Sequence, residues 1–420
     1  MVAKKKVKIS PFISLLFPLC IGLELLFYFL NGDMYFQLSG FFYFFAVAII
    51  VGLYIIIKKR VKIPTNYTLI ASVLFAVYLG ISSLINGGNV ERGYLITYLL
   101  IVLLIFVLEV GRLGKNHRSY IYAGYIGGAV IIALLQIIFK TRFYELESTR
   151  ITIKVLSNDK IDPNYLAAFM IGPFFLSLCL MLKTRSFLRR LLLAIAALLV
   201  VIGIVFSGSR GAIVAIAVGI LVSLLFGLKK KIKLRYIILI VAALITTVIL
   251  AFVFIPAETF ERFFGANYLA DGSNMRRITL WGNALTAIRE NPIFGYGARN
   301  TSLIIGDVVG DYEPAHNTFF DIWLQTGIFG VLFFIIIFAR AFSNRSLIIK
   351  GLCIATAVSG FFIAAESCLF FWMNFLLAIY FVPNIKKPRL AKKPIPVPAV
   401  CDLPTADSSI DRPAGCEALI

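Results

Sequence analysis

The chain has 420 residues, of which 60% are hydrophobic and 15% charged, and its mean hydropathy is +0.92. That composition excludes a soluble globular fold and points to a polytopic membrane protein. The net charge of +20 does not indicate a nucleic-acid partner, because the basic residues sit in short clusters between apolar runs, as positive-inside topology requires.

Lys4, Lys5 and Lys6 precede an apolar run at 11–30. It resembles a signal peptide, but it is long for one and no small-residue cleavage site follows, so an uncleaved first span is expected. Further runs at 38–57, 67–85, 94–110, 120–139, 164–182, 187–207, 210–228, 235–255, 316–338, 347–364 and 366–383 bring the prediction to about 12 transmembrane helices. Each is near the ~20 residues that cross about 30 Å of hydrocarbon. Continuous apolar runs without strict alternation exclude a barrel and leave an all-α polytopic membrane protein. With the N-terminus inside, the inner segments hold 29 of the 41 Lys and Arg, and the outer ones hold 14 of the 21 acids. Both termini are then cytoplasmic, and the polar segments 140–162 and 256–316 face outward.

The predicted organisation is a nine-span bundle at 1–255, an extracytoplasmic catalytic loop with short helices at 256–315, three spans at 316–383, and a disordered cytoplasmic tail at 384–420. The tail is Pro-rich, with a basic start suited to anionic headgroups. No internal repeat is evident, against transporter folds built from inverted halves. Cys20, Cys179, Cys353 and Cys368 lie in spans as small hydrophobes, no C-x-x-C occurs, and Cys416 is too far from the end for prenylation. No phosphate loop, D-x-D pair or hydrolase elbow is present, so no ATP or metal-bound nucleotide-sugar site is indicated.

Polar residues with possible chemistry cluster at the outer ends of spans. Asp162-Pro-Asn164-Tyr reads as the capped start of the sixth span. Ser207-Gly-Ser209-Arg210-Gly211 is a tight turn that sets an arginine beside exposed amides, a combination suited to phosphate. Residues 273–292 predict an amphipathic helix, capped by Ser273 or Asn274, with Ile278, Trp281, Leu285 and Ile288 on its apolar face and Pro292 ending it. Arg277 and Trp281 share a face, and Arg276 adds charge. His316-Asn317 stands where the chain re-enters the membrane, and a histidine there can act as a base. Gly327 and Gly330 suit close helix packing. Glu24 and Glu366 lie in or at the ends of spans and are functional suspects by default, a position at the outer interface being the alternative for Glu366. His117 falls in an inward basic loop and is expected to be solvated.

In order and placement these motifs resemble the O-antigen ligase and O-antigen polymerase superfamily of bacterial envelope glycan assembly. The features that carry the resemblance are Ser209-Arg210-Gly211, Arg277 four before Trp281, Asn291-Pro-Ile-Phe-Gly295-Tyr-Gly297, His316-Asn317 ahead of Gly327 and Gly330, and Asp162-Pro-Asn164. The resemblance implies a GT-C-like helical fold in the inner membrane. It implies transfer of a glycan from undecaprenyl pyrophosphate to a saccharide or glycolipid acceptor, without cofactor, metal or ATP. It implies that Arg210 and Arg277 hold the pyrophosphate and that His316 activates the acceptor hydroxyl. Arg276, Ser209, Trp281, Asn164 and Asn317 are the expected substrate-binding residues. Polymerase and ligase differ only in acceptor. The alternative from another class is a flippase or exporter of lipid-linked oligosaccharide, which should carry its charges along a central path.

Overall fold

The computed structural model describes residues 10–29, 42–59, 63–64, 66–86, 90–111, 118–145, 148–154, 160–228 and 272–382. The predicted span at 235–255, the loop residues 256–271, His117 and the tail 384–420 lie outside the described residues.

Eight helices come first: α1 (Pro11–Phe27), α2 (Phe42–Lys59), α3 (Tyr67–Asn86), α4 (Arg92–Gly111), α5 (Arg118–Phe139), α6 (Pro163–Lys183), α7 (Phe187–Phe206) and α8 (Arg210–Leu228). After the undescribed stretch come α9 (Gly272–Glu290), α10 (Thr301–Val309), α11 (Thr318–Phe342), α12 (Leu347–Gly360) and α13 (Leu369–Leu376), which runs into a π-turn at Leu377–Phe381. Every predicted span that falls among the described residues carries a helix. Seven of the described helices are long and apolar enough to cross a membrane, and the described part of the polar loop holds helices, as expected, although α9 is 19 residues long and only α10, with 9, is short. One element was not anticipated. The polar segment after α5 forms an antiparallel hairpin, β1 (Thr141–Glu145) with β2 (Ser148–Thr152), in register Thr141 opposite Thr152.

Local chemistry explains the helix ends. The Asp162 carboxylate accepts the Asn164 N–H at 2.7 Å, and Pro163 occupies the first helical position of α6. Helix α9 stops at Glu290, two residues before Pro292, but starts at Gly272, so Ser273 and Asn274 fall in its first turn rather than capping it.

Small residues set how closely the helices approach. A Cβ on Gly124 of α5 would overlap the backbone of Gly22 in α1. In lipid, where apolar burial between helices gains little, such approach is what holds helices together. At the end of the bundle where α3 starts and α11 finishes, Arg340 pairs with Glu109, which also accepts from Asn66 and Tyr380.

Gly327 departs from its expected packing role. Its φ of 56° and ψ of −158° break α11. The freed groups bond to the turn after α9: the Ile328 N–H reaches the Ile293 carbonyl at 3.2 Å, and the Tyr296 N–H reaches the Leu324 carbonyl at 2.8 Å. Gly295, at φ 65°, faces it so closely that a Cβ would lie 2.6 Å from the Gly327 nitrogen. Gly327→Ala is therefore expected to cost at least ~1–3 kcal/mol, because that backbone region is essentially glycine-only and a Cβ would meet the Ile293 carbonyl. Gly282→Ala, in α9 with open space around it, should instead stabilise by about 0.5–1 kcal/mol. Thermal midpoints in detergent separate the two, and equal midpoints would refute the assignment of the kink.

Candidate functional site

Helix α12 ends at Gly360 and α13 begins at Leu369. The irregular strap between them receives the predicted segments one after another. The Phe362 carbonyl accepts from the Arg277 guanidinium at 2.9 Å. The Ile363 carbonyl accepts both the backbone N–H and the hydroxyl of Thr318, each at 2.8 Å. The Ala364 carbonyl accepts the Tyr165 hydroxyl at 2.9 Å. The Ala365 N–H returns to the Thr318 hydroxyl at 2.9 Å. Helix α8 closes the ring, since a Cβ on Gly211 would lie 2.7 Å from the Phe362 ring. The starts of α6, α8 and α11, and the first turns of α9, thus converge on one strap at the end opposite the Glu109–Arg340 pair.

The Arg277 side chain and the first turn of the helix that Arg210 opens both reach Phe362. The Arg277 guanidinium lies 5.9 Å from the centre of that ring, and Arg210 opens α8 next to Gly211, which abuts the same ring. Arg210 follows a sharp turn. Gly208 sits at φ 62°, and the Ser209 N–H donates to the Ser207 hydroxyl at 3.2 Å. Ser209 is buried.

His316 has a φ of 49°. A non-glycine residue there is uncommon and costs energy unless its surroundings impose it. They do. On one side the Ala315 carbonyl accepts the Trp281 indole N–H at 3.1 Å. On the other, Asn317 caps α11, its amide oxygen accepting the Phe319 and Phe320 N–H groups at 3.0 and 3.3 Å. Helix α9 also fixes the approach to His316: Arg276 pairs with Asp311 and Glu313, each at 2.9 Å, and Asn283 donates to Asp311 at 2.8 Å. The Arg276 hydrogen bond holds the Glu313 carboxyl below its ordinary range. That attraction is complete at neutral pH and fades as acid protonates the carboxylate through its lowered value.

Several expected substrate contacts are committed within the protein. Arg276 points to the acids before His316 and not to the strap with Arg277. The Asn164 amide oxygen accepts from Arg150 at 2.6 Å, the Asn317 oxygen is a cap, and Trp281 supports the His316 backbone. The buried stripe of α9 also differs from expectation. Ile278 and Leu285 are 61% and 39% exposed, whereas Leu280, Ala284, Ala287 and Ile288 are buried. The alanines let α9 approach α10 and α11 closely, and a pattern scored on large side chains passes over them. Glu366, on the strap, is buried within the protein, as is Asp321 on α11. Two features escaped the sequence altogether: the strap itself, which is apolar apart from Glu366 and Ser367, and Arg150. No composition signal sets Arg150 apart, because it shares the segment 140–162 with Lys140, Arg142, Lys154 and Lys160.

The fold and this site define a multi-pass helical membrane protein with a polar, arginine- and histidine-bearing centre at one end. The model of the O-antigen ligase family matches residues 195–335, which bears out the resemblance to O-antigen ligases and polymerases over that segment. It contains Arg210, Arg277 and His316. Asn164, Arg150 and the strap lie outside it. No curated protein and no solved structure matches the chain. Glycan transfer of the O-antigen ligase or polymerase type, between a lipid-linked glycan and an acceptor, is the activity this match supports.

Proposed function

We propose that this protein transfers a glycan from undecaprenyl pyrophosphate to an acceptor hydroxyl at the outer face of the bacterial cytoplasmic membrane. The acceptor oxygen attacks C1 of the donor sugar, and His316 takes the hydroxyl proton. The bond from C1 to the pyrophosphate oxygen breaks, and its electron pair leaves with the pyrophosphate. Arg210 and Arg277 hold that group and stabilise the charge it gains. Direct displacement inverts the anomeric centre. The donor arrives already activated, so the reaction as proposed needs neither ATP nor a metal ion.

What supports this reading is the convergence on consecutive strap residues: Arg277 on the Phe362 carbonyl, Thr318, two residues after His316, on the Ile363 carbonyl, and the Arg210 helix against the Phe362 ring. The outward orientation draws on the excess of Lys and Arg in the segments predicted to face inward, 29 of 41. Purified protein given undecaprenyl-pyrophosphate-linked glycan and candidate acceptors should form a new glycosidic bond and release undecaprenyl pyrophosphate. Movement of the lipid-linked sugar across vesicles with no bond formed would favour an exporter and overturn the proposal.

A further inference from the structure

Arg150, on β2, is completely buried, and among the described residues no other lysine or arginine is. Burying a guanidinium costs several kcal/mol unless its donors are satisfied, so its partners show what the site requires of it. Nε donates to the Ser207 carbonyl at 3.0 Å, and a terminal nitrogen donates to the Asn164 amide oxygen at 2.6 Å. Three distant pieces of chain are therefore tied by one side chain: the hairpin, the start of α6, and the turn between α7 and α8. The hairpin is itself anchored, because Gln136 on α5 donates to the Ile151 carbonyl at 3.1 Å and the Thr152 hydroxyl donates to the Ile161 carbonyl.

The turn is where this matters. Ser207 caps the end of α7, Gly208 reverses the chain at φ 62°, and Arg210 starts α8 three residues after the clamped carbonyl. Rotation of the Ser207 peptide would re-aim the first turn of α8 and the Arg210 side chain with it. We propose that Arg150 is a positioning residue: it clamps the Ser207 carbonyl to Asn164 and so fixes the turn that presents Arg210 to the donor pyrophosphate. The proposal rests on the role assigned to Arg210 above, and it extends the site to residues outside the family match. Lysine cannot replace the clamp, because a point charge lacks the planar fork that reaches two acceptors at once.

The test is a double-mutant cycle read as turnover of undecaprenyl-pyrophosphate-linked glycan. Arg150→Lys should lower turnover roughly 10- to 100-fold in the otherwise unchanged protein, the range for losing a charged buried hydrogen bond. In an Arg210→Ala background the same change should cost less than about threefold, because the group it positions is gone. A merely structural role would lower turnover by the same factor in both backgrounds, and that result overturns the proposal. Should Arg150→Lys fail to fold, Asn164→Ala removes one arm of the clamp without burying an ammonium, and it should show the same dependence on Arg210. Full turnover of Arg150→Lys beside an impaired Arg210→Ala defeats the clamp alone. Full turnover of Arg210→Ala defeats the assignment of Arg210, and the clamp falls with it.

Discussion

Arg277→Ala is expected to lower glycan transfer about 10²- to 10³-fold, the range for removing one preorganised donor from a site where charge develops. The guanidinium is oriented before substrate arrives, by its bond to the Phe362 carbonyl and its place over the Phe362 ring. It can therefore stabilise the leaving pyrophosphate without reorganising during the reaction. Arg277→Lys should recover part of the loss, since it keeps charge but not the bidentate fork. Arg276 is the internal control. Its partners are Asp311 and Glu313, and its side chain is 44% exposed, so Arg276→Gln should change turnover less than about tenfold, as surface pairs contribute little. The measurement is initial rate against donor concentration. Equal losses at the two arginines would show that charge on α9, not the position of Arg277, is what matters.

His316→Asn is expected to lower turnover about 10²- to 10⁴-fold, the usual contribution of a positioned general base. Asparagine is the informative replacement. At φ 49° most side chains would add backbone strain, whereas Asn tolerates the left-handed region well. The Trp281 bond to the Ala315 carbonyl and the Asn317 cap should survive, so the thermal midpoint should stay close to that of the unsubstituted protein. The change then removes the imidazole and little else. The rate–pH profile provides the second readout: the limb on which rate falls as the imidazole becomes protonated should vanish in the variant. Undiminished turnover, or an unchanged profile, would remove His316 from the mechanism.

The span pattern was legible in the chain because each span is a local property. A run near 20 apolar residues must satisfy its own backbone in lipid, and only a helix does so. The cap at Asp162-Pro163 and the stop before Pro292 are equally local, written within a few residues of where they act. Arg210 and His316 could be singled out because each is a polar group at the end of an apolar run, and Arg277 because it lies on an amphipathic helix within the long polar segment. Which groups meet is a different matter, and only the tertiary structure decided it. Arg277 is held by a backbone carbonyl 85 positions away, and every residue has a carbonyl, so no side-chain pattern marks that partner. Arg150 acquires its meaning from a turn 57 positions on. The buried face of α9 is chosen by how near α10 and α11 can come, which favours its alanines over Ile278 and Leu285. Gly327 kinks α11 because the 293–296 backbone lies against it and supplies the hydrogen bonds the helix gives up. Spans follow from desolvation along the chain, whereas the site follows from contacts between segments that have no period or spacing in common.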